Sequence, residues 1–125
     1  MRESAEMYLE TILVLSKKGP VRSIDIANHT GYTRPTISQQ MKRLREKGLI
    51  LMDEDNLITF TKKGQALAER VYERHQVLTA LLLRLGVDEE TAVADACRVE
   101  HYISQTTFDL LKDLHHRLEA VEKTQ

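Results

Sequence analysis

Three residues within a stretch of five, Cys97, Glu100 and His101, carry a thiol, a carboxyl and an imidazole at positions i, i+3 and i+4. On a helix this spacing puts all three side chains on one face, within roughly 100° of arc. Thiolate, carboxylate and imidazole together form a ligand set for a divalent transition metal. Met7 and Glu10, three residues apart near the N-terminus, add a thioether and a second carboxylate, and His75 adds an imidazole from mid-chain. Taken singly, each has a structural reading. A lone cysteine is commonly a small buried hydrophobe, a methionine fills a core, and His75 beside Arg74 suits a helix surface. The chemical reading rests on three donors sharing one helical face.

A second group of residues suits contact with a polyanion. Thr33, Arg34, Thr36, Ser38, Gln39 and Gln40 occupy the first two turns of a helical stretch, and Lys42, Arg43, Arg45 and Lys47 the last two. Gln can pair with the adenine edge and a Thr methyl can meet the thymine methyl, while hydroxyls and cations hold phosphates. The preceding Arg22 and the early Pro35 belong to the same face. Polar residues on a helix can also be no more than its solvated side, so the elements around them matter.

Those elements are legible. Residues 4–17 place Met7, Tyr8, Leu9, Ile12, Leu13 and Leu15 at helical spacing, and Lys17-Lys18-Gly19-Pro20 ends the run. Ser23 reads as the N-cap of a short helix over 24–29 that Gly31 closes. Thr33 caps a third helix, with Pro35 tolerated in its first turn and Ile37, Met41 and Leu44 on its apolar stripe until Gly48. Helix, tight turn and helix make a helix-turn-helix, whose second helix reads DNA. The runs 49–52 and 57–60, separated by Asp53-Glu54-Asp55-Asn56, read as a β-hairpin wing. Its acidic tip is expected to contribute little to a phosphate grip.

Thr61 then caps a long helix with Leu67, Val71, Leu78, Leu82 and Leu85 on one stripe, stopped by Gly86. A fifth helix is expected from about 88 to 102, with Asp88, Glu89 and Glu90 in its first turn. Ser104 begins a sixth, where Leu111, Leu114, Leu118 and Val121 follow the spacing of a helix that packs on another helix. The fold class is therefore mainly α: a winged helix-turn-helix domain over 1–62, followed by an all-helical domain over 63–125.

Composition narrows the class. The chain has 125 residues, 42% of them hydrophobic, with five Gly, two Pro and one Cys, which argues against disorder and against an intrachain disulfide. No apolar run approaches the roughly 20 residues of a membrane span, so a cytoplasmic protein without a membrane partner is expected. The formal net charge is −1, but it is unevenly spread. Residues 17–48 carry eight basic against two acidic groups, and residues 87–101 five acidic against one basic. A basic front suits phosphate and an acidic back suits a cation. No nucleophile motif, phosphate loop or His-Glu-x-x-His element points to an enzyme.

Glu6-Met7-Tyr8-Leu9, Pro35-Thr36-Ile37-Ser38-Gln39, His75 and Cys97-Arg98-Val99-Glu100-His101 resemble the diphtheria-toxin-repressor family of metal-dependent transcriptional repressors. The resemblance runs over nearly the whole chain. It implies a double-stranded DNA operator, a homodimer formed through the C-terminal helices, and a ferrous or manganous co-repressor. It matches Met7, Cys97, Glu100 and His101 to the primary site of the family's iron branch, and Glu10 and His75 to positions used in the binuclear site of its manganese branch. Thr79 and Val93 stand where the iron branch's ancillary site has an acid and a histidine. The layout is the short one of the manganese branch, lacking the SH3-like domain of most iron-branch members. Soft thioether and thiolate donors favour Fe²⁺, with Co²⁺, Ni²⁺ and Zn²⁺ as substitutes in vitro, over the harder Mn²⁺. The function expected is a repressor activated by Fe²⁺, alternatively Mn²⁺, at palindromic operators of metal-homeostasis genes. The rival reading is a winged-helix regulator under thiol-redox control at Cys97.

Overall fold

The computed structural model describes the backbone of residues 2–123 and the side chains from Ala5 onward. Among the described residues there are six helices and one two-stranded sheet: α1 (Arg2–Ser16), α2 (Ser23–Thr30), α3 (Arg34–Glu46), β1 (Ile50–Met52), β2 (Ile58–Phe60), α4 (Lys62–Arg84), α5 (Glu89–Val99) and α6 (Gln105–Lys123). The mainly helical class is as expected. The chain divides into two compact units, Met1–Arg70 and Val71–Gln125, with the division inside α4. No helix among the described residues is long and apolar enough to cross a membrane.

The first unit is built on a buried apolar set: Leu9 and Ile12 of α1, Ile26 of α2, and Ile37, Met41 and Leu44 of α3. The α3 residues recur at i, i+4 and i+7, so one stripe goes into the core and the opposite face stays wet. The start of α2 differs from the sequence expectation. Arg22, not Ser23, is the N-cap, because the Asp25 carboxylate accepts from the Arg22 amide at 2.8 Å and makes Ser23 the first helical residue. Gly31 ends α2 in the left-handed region (φ 81°), a conformation a side chain would disfavour, and turns the chain into α3.

The hairpin pairs Ile50 with Phe60, Leu51 with Thr59 and Met52 with Ile58. The Asp53 carboxylate closes its turn by accepting from the amides of Asp55 at 2.8 Å and Leu57 at 2.9 Å. The sheet also has a neighbour that periodicity did not reveal: Ile58 donates to the Val21 carbonyl at 2.8 Å. The entry to α4 is tied to β1. Thr61 Oγ1 donates to the Gly48 carbonyl at 2.7 Å and accepts from the Gly64 amide at 3.0 Å, capping the helix. The Leu49 carbonyl lies so close to Gly64 that a Cβ there would sit 1.8 Å from its oxygen.

In the second unit, Asp88 is the N-cap of α5 and accepts from the Thr91 amide at 3.0 Å. That amide, and then the Thr91 hydroxyl, hold the Asp88 carboxyl below the usual carboxylate range. α5 is shorter than expected. It ends at Val99, with Glu100 as C-cap and His101 in the turn beyond it. Ser104 Oγ then accepts from the Thr107 amide at 3.1 Å to start α6. Phe108 is the buried anchor of α6, while Leu114 and Val121 of its expected seam are 41% and 53% exposed.

Two outcomes follow. Gly64→Ala is expected to lower unfolding stability by about 3 kcal/mol in a denaturant titration, because backbone rather than a flexible side chain must move. The Asp88 cap stabilises the fold above the ordinary carboxylate pKa of 3.8 and is lost as pH falls through the lowered native value. Asp88→Asn is therefore expected to lose less stability than the parent over that acid range in thermal melts at stepped pH.

Candidate metal centre and nucleic-acid interface

α4 and the end of α5 bring three donors together. His75 Nδ1 lies 3.0 Å from Glu100 Oε2 and 3.7 Å from Cys97 Sγ. One ligand atom from each of His75, Cys97 and Glu100 lies within 4.8 Å of the others. His101 Nε2 faces the second Glu100 oxygen at 3.4 Å. The Glu100 carboxylate thus stands between two imidazoles. It is 2% exposed, whereas Cys97 is open to solvent. A carboxylate so buried needs a compensating positive charge, from a protonated imidazole or a cation. Nitrogen, sulfur and oxygen donors at this separation fit a first-row divalent ion.

Glu100 reaches this position through a residue the sequence reading passed over. Arg74, buried on α4, donates through Nη1 to the carbonyls of Glu100 at 3.0 Å and Ile103 at 3.1 Å. Both acceptors lie just past the end of α5: the Glu100 carbonyl, which a helix end leaves without an intrahelical partner, and the Ile103 carbonyl in the turn that follows. Only the helix-surface character of the Arg74-His75 pair was legible, since nothing local marks an arginine as buried. Met7 and Glu10 lie on α1 in the first unit, both half-buried on either side of the buried Tyr8 and Leu9. Thr79 is half-buried on α4, and Val93 is 39% exposed on α5.

The outer face of α3 is polar and basic. Arg34, Pro35, Thr36, Ser38, Gln39, Lys42 and Arg43 are exposed, and Gln40 is half-buried. Thr33 caps the helix, accepting from the Thr36 amide at 3.4 Å and bonding the Thr36 hydroxyl at 2.9 Å, so these two hydroxyls orient one another. Beside α3 runs a groove lined by Arg22, Arg34, Ser38 and Arg45 and walled on the hairpin side by Met52 and Asn56. Arg22 Nε donates to the Asp55 carbonyl at 3.1 Å, which aims the guanidinium along the groove. The hairpin backbone thus fixes Arg22 although the hairpin tip is acidic. Asn56, the non-glycine residue with positive φ (62°), was not picked out from the sequence, although Asn in a turn is the usual sign of that conformation.

Both halves match family models. Residues 1–56 match the N-terminal DNA-binding domain of iron-dependent repressors, and residues 61–122 their metal-binding and dimerisation domain. The chain is 38% identical over 112 residues to the transcriptional regulator MntR of Escherichia coli O6:H1, covering 89% of this chain and 72% of that protein. It is 37% identical over 106 residues to the iron-dependent repressor IdeR of Mycobacterium bovis, covering 82% of this chain and 46% of that protein. Among solved structures, the manganese regulator SloR superposes with a TM-score of 0.78 at 28% identity, over 88% of this chain and 52% of that one. The chain thus spans about half the length of that structure.

Thr33→Ala removes the cap of α3. It is expected to lower stability by about 1 kcal/mol in thermal or urea unfolding, with the folded spectrum retained.

Proposed function

The chain belongs to the iron-dependent repressor family, and on that premise we propose that it is a transcriptional repressor whose hold on DNA is set by a divalent metal ion, physiologically Fe²⁺. The observation that carries this reading is the convergence of His75, Cys97 and Glu100 in a chain whose α3 exposes a basic and amide-rich face. Likeness does not choose the metal, because the chain resembles both an iron-dependent repressor, IdeR, and a manganese regulator, SloR. Ligand chemistry does. A thiolate is soft and favours Fe²⁺ over Mn²⁺, which prefers carboxylate and water. Met7 and Glu10 complete the donor set with His101, on the strength of the motif they share with the family.

A bound cation would supply positive charge and directional bonds to these donors. Glu100 presents its carboxyl out of water, where a carboxylate's attraction for a cation is strongest. Cys97 selects for soft ions, and His75 and His101 orient the carboxylate from either side. Residues 1–62 bind the operator and residues 63–125 bind metal and dimerise. Leu110, Leu114 and Val121 lie on one side of α6 and are 64%, 41% and 53% exposed, an apolar stripe that a second copy would cover. Two recognition helices related by a dimer axis suit a palindrome, here an operator of metal-homeostasis genes in the cytoplasm. Metal and DNA then strengthen one another's binding by one common factor. Thiol-redox control at Cys97 has no support among these relatives.

The test is selection of binding sites from a random duplex library with anaerobic Fe²⁺, followed by fluorescence anisotropy on the selected site. Fe²⁺ is expected to tighten binding by up to about 100-fold over chelator, and Cys97→Ala to lose most of that gain. Equal binding with and without metal would overturn the reading. In the same assay Arg43→Ala is expected to weaken binding to all sequences alike and to reduce the salt slope by about one.

A further inference from the structure

Arg74 is an unusual residue to bury. It is 7% exposed, and the partners of its guanidinium are neutral oxygens: the Glu100 and Ile103 carbonyls on Nη1 and Gln105 Oε1 on Nη2 at 2.8 Å. Its charged carbon lies 5.3 Å from the centroid of the buried Phe108 ring. The compensation comes from the C-terminal turn of α5, where the helix dipole is negative and the last carbonyls lack helical partners. Even so, Nε is buried without a hydrogen-bond partner. An arginine with a buried unpaired N–H is not what stability alone would keep, since an apolar side chain there would bury no charge.

Its position suggests what it does. Arg74 and His75 are consecutive on α4, and both grip Glu100, Arg74 by the backbone carbonyl and His75 by the carboxylate at 3.0 Å. By bonding the carbonyls of residues 100 and 103, both beyond the last residue of α5, Arg74 holds the turn that carries Glu100 and His101. Its positive charge is repulsive towards a cation, so any benefit to metal binding must be geometric.

We propose that Arg74 is a positioning residue of the metal centre: it holds the 100–103 turn so that Glu100 meets His75 and Cys97 before an ion arrives. The gain is preorganisation, since donors already convergent lose less freedom on binding. This inference rests on the metal-binding reading above.

The experiment is a Co²⁺ titration of the full chain, read by the thiolate-to-cobalt charge-transfer band, for the parent, Arg74→Met, Arg74→Lys and Val77→Ala. Circular dichroism and metal-free melting are recorded for each. Arg74→Met is expected to bind Co²⁺ about 10- to 100-fold more weakly, and Arg74→Lys, which keeps the charge but not the fork, to fall between it and the parent. Val77→Ala removes buried volume on the same helix and is expected to lower the melting temperature without changing Co²⁺ affinity. Unchanged or tighter binding by Arg74→Met overturns the proposal, because charge repulsion would then outweigh positioning. Equal weakening in Val77→Ala also overturns it, by showing loss of fold stability as the cause. If Arg74→Met does not fold, Arg74→Lys decides, and parental affinity in that variant overturns the proposal. A parent chain that develops no band overturns the metal reading itself and this inference with it, whereas a normal parent with an unaffected Arg74→Met overturns this inference alone.

Discussion

The second unit depends on how α4 holds one residue of another helix. Glu100 is a carboxylate almost wholly removed from water, and a buried charge survives only where neighbours compensate it. Two consecutive side chains do so from opposite ends: His75 faces the carboxylate, and Arg74 takes the backbone carbonyl. The same contacts hold the turn between α5 and α6, and the Cys97 sulfur lies beside the imidazole that Glu100 engages. The metal centre and the helix boundary are therefore one structural problem. Where α5 stops decides where Glu100 points.

The DNA-binding half is governed by a different economy, in which short-range hydrogen bonds aim exposed side chains. Thr33 starts α3, Gly31 turns the chain into it, and three buried residues leave the other face free for arginines, glutamines and hydroxyls. The hairpin looks unsuited to nucleic acid by charge, yet its backbone orients Arg22 and its Asp53 carboxylate is consumed in shaping its own turn. Charge counted along the sequence does not register such a contact, because backbone oxygens are invisible to it.

The chain combines features of two kinds of relative. Its identity to the transcriptional regulator MntR and to the iron-dependent repressor IdeR is nearly equal, so overall likeness does not discriminate between them. The discriminating feature is sulfur, the Cys97 thiol first and with it the Met7 thioether of the proposed set, among nitrogen and oxygen donors. Softness is a property of the donor atom rather than of the fold, and for this reason the proposed metal preference follows Cys97.

The sequence by itself determined the six helices, the helix-turn-helix and the hairpin; the single helical face expected for Cys97, Glu100 and His101 is not kept, because α5 ends at Val99 and it is His75 that converges with Cys97 and Glu100. The elements depend on local signals: hydrophobic periodicity, caps such as Thr33 and Thr61, and glycines at helix ends act over a few residues and can be read in order. Tertiary structure alone decided the rest. The bridge from Val21 to Ile58, the approach of Leu49 to Gly64 and the bond from Arg74 to the Glu100 carbonyl each join residues distant in the chain. The expectation that α5 runs on to Tyr102 followed its local propensity, whereas the helix ends at Val99, the Tyr102 amide turns to the Val99 carbonyl, and an arginine 26 residues before Glu100 holds the turn beyond. Local propensity measures what a segment prefers alone. A buried hydrogen bond from elsewhere can outweigh that preference, and it leaves no mark on the segment it redirects.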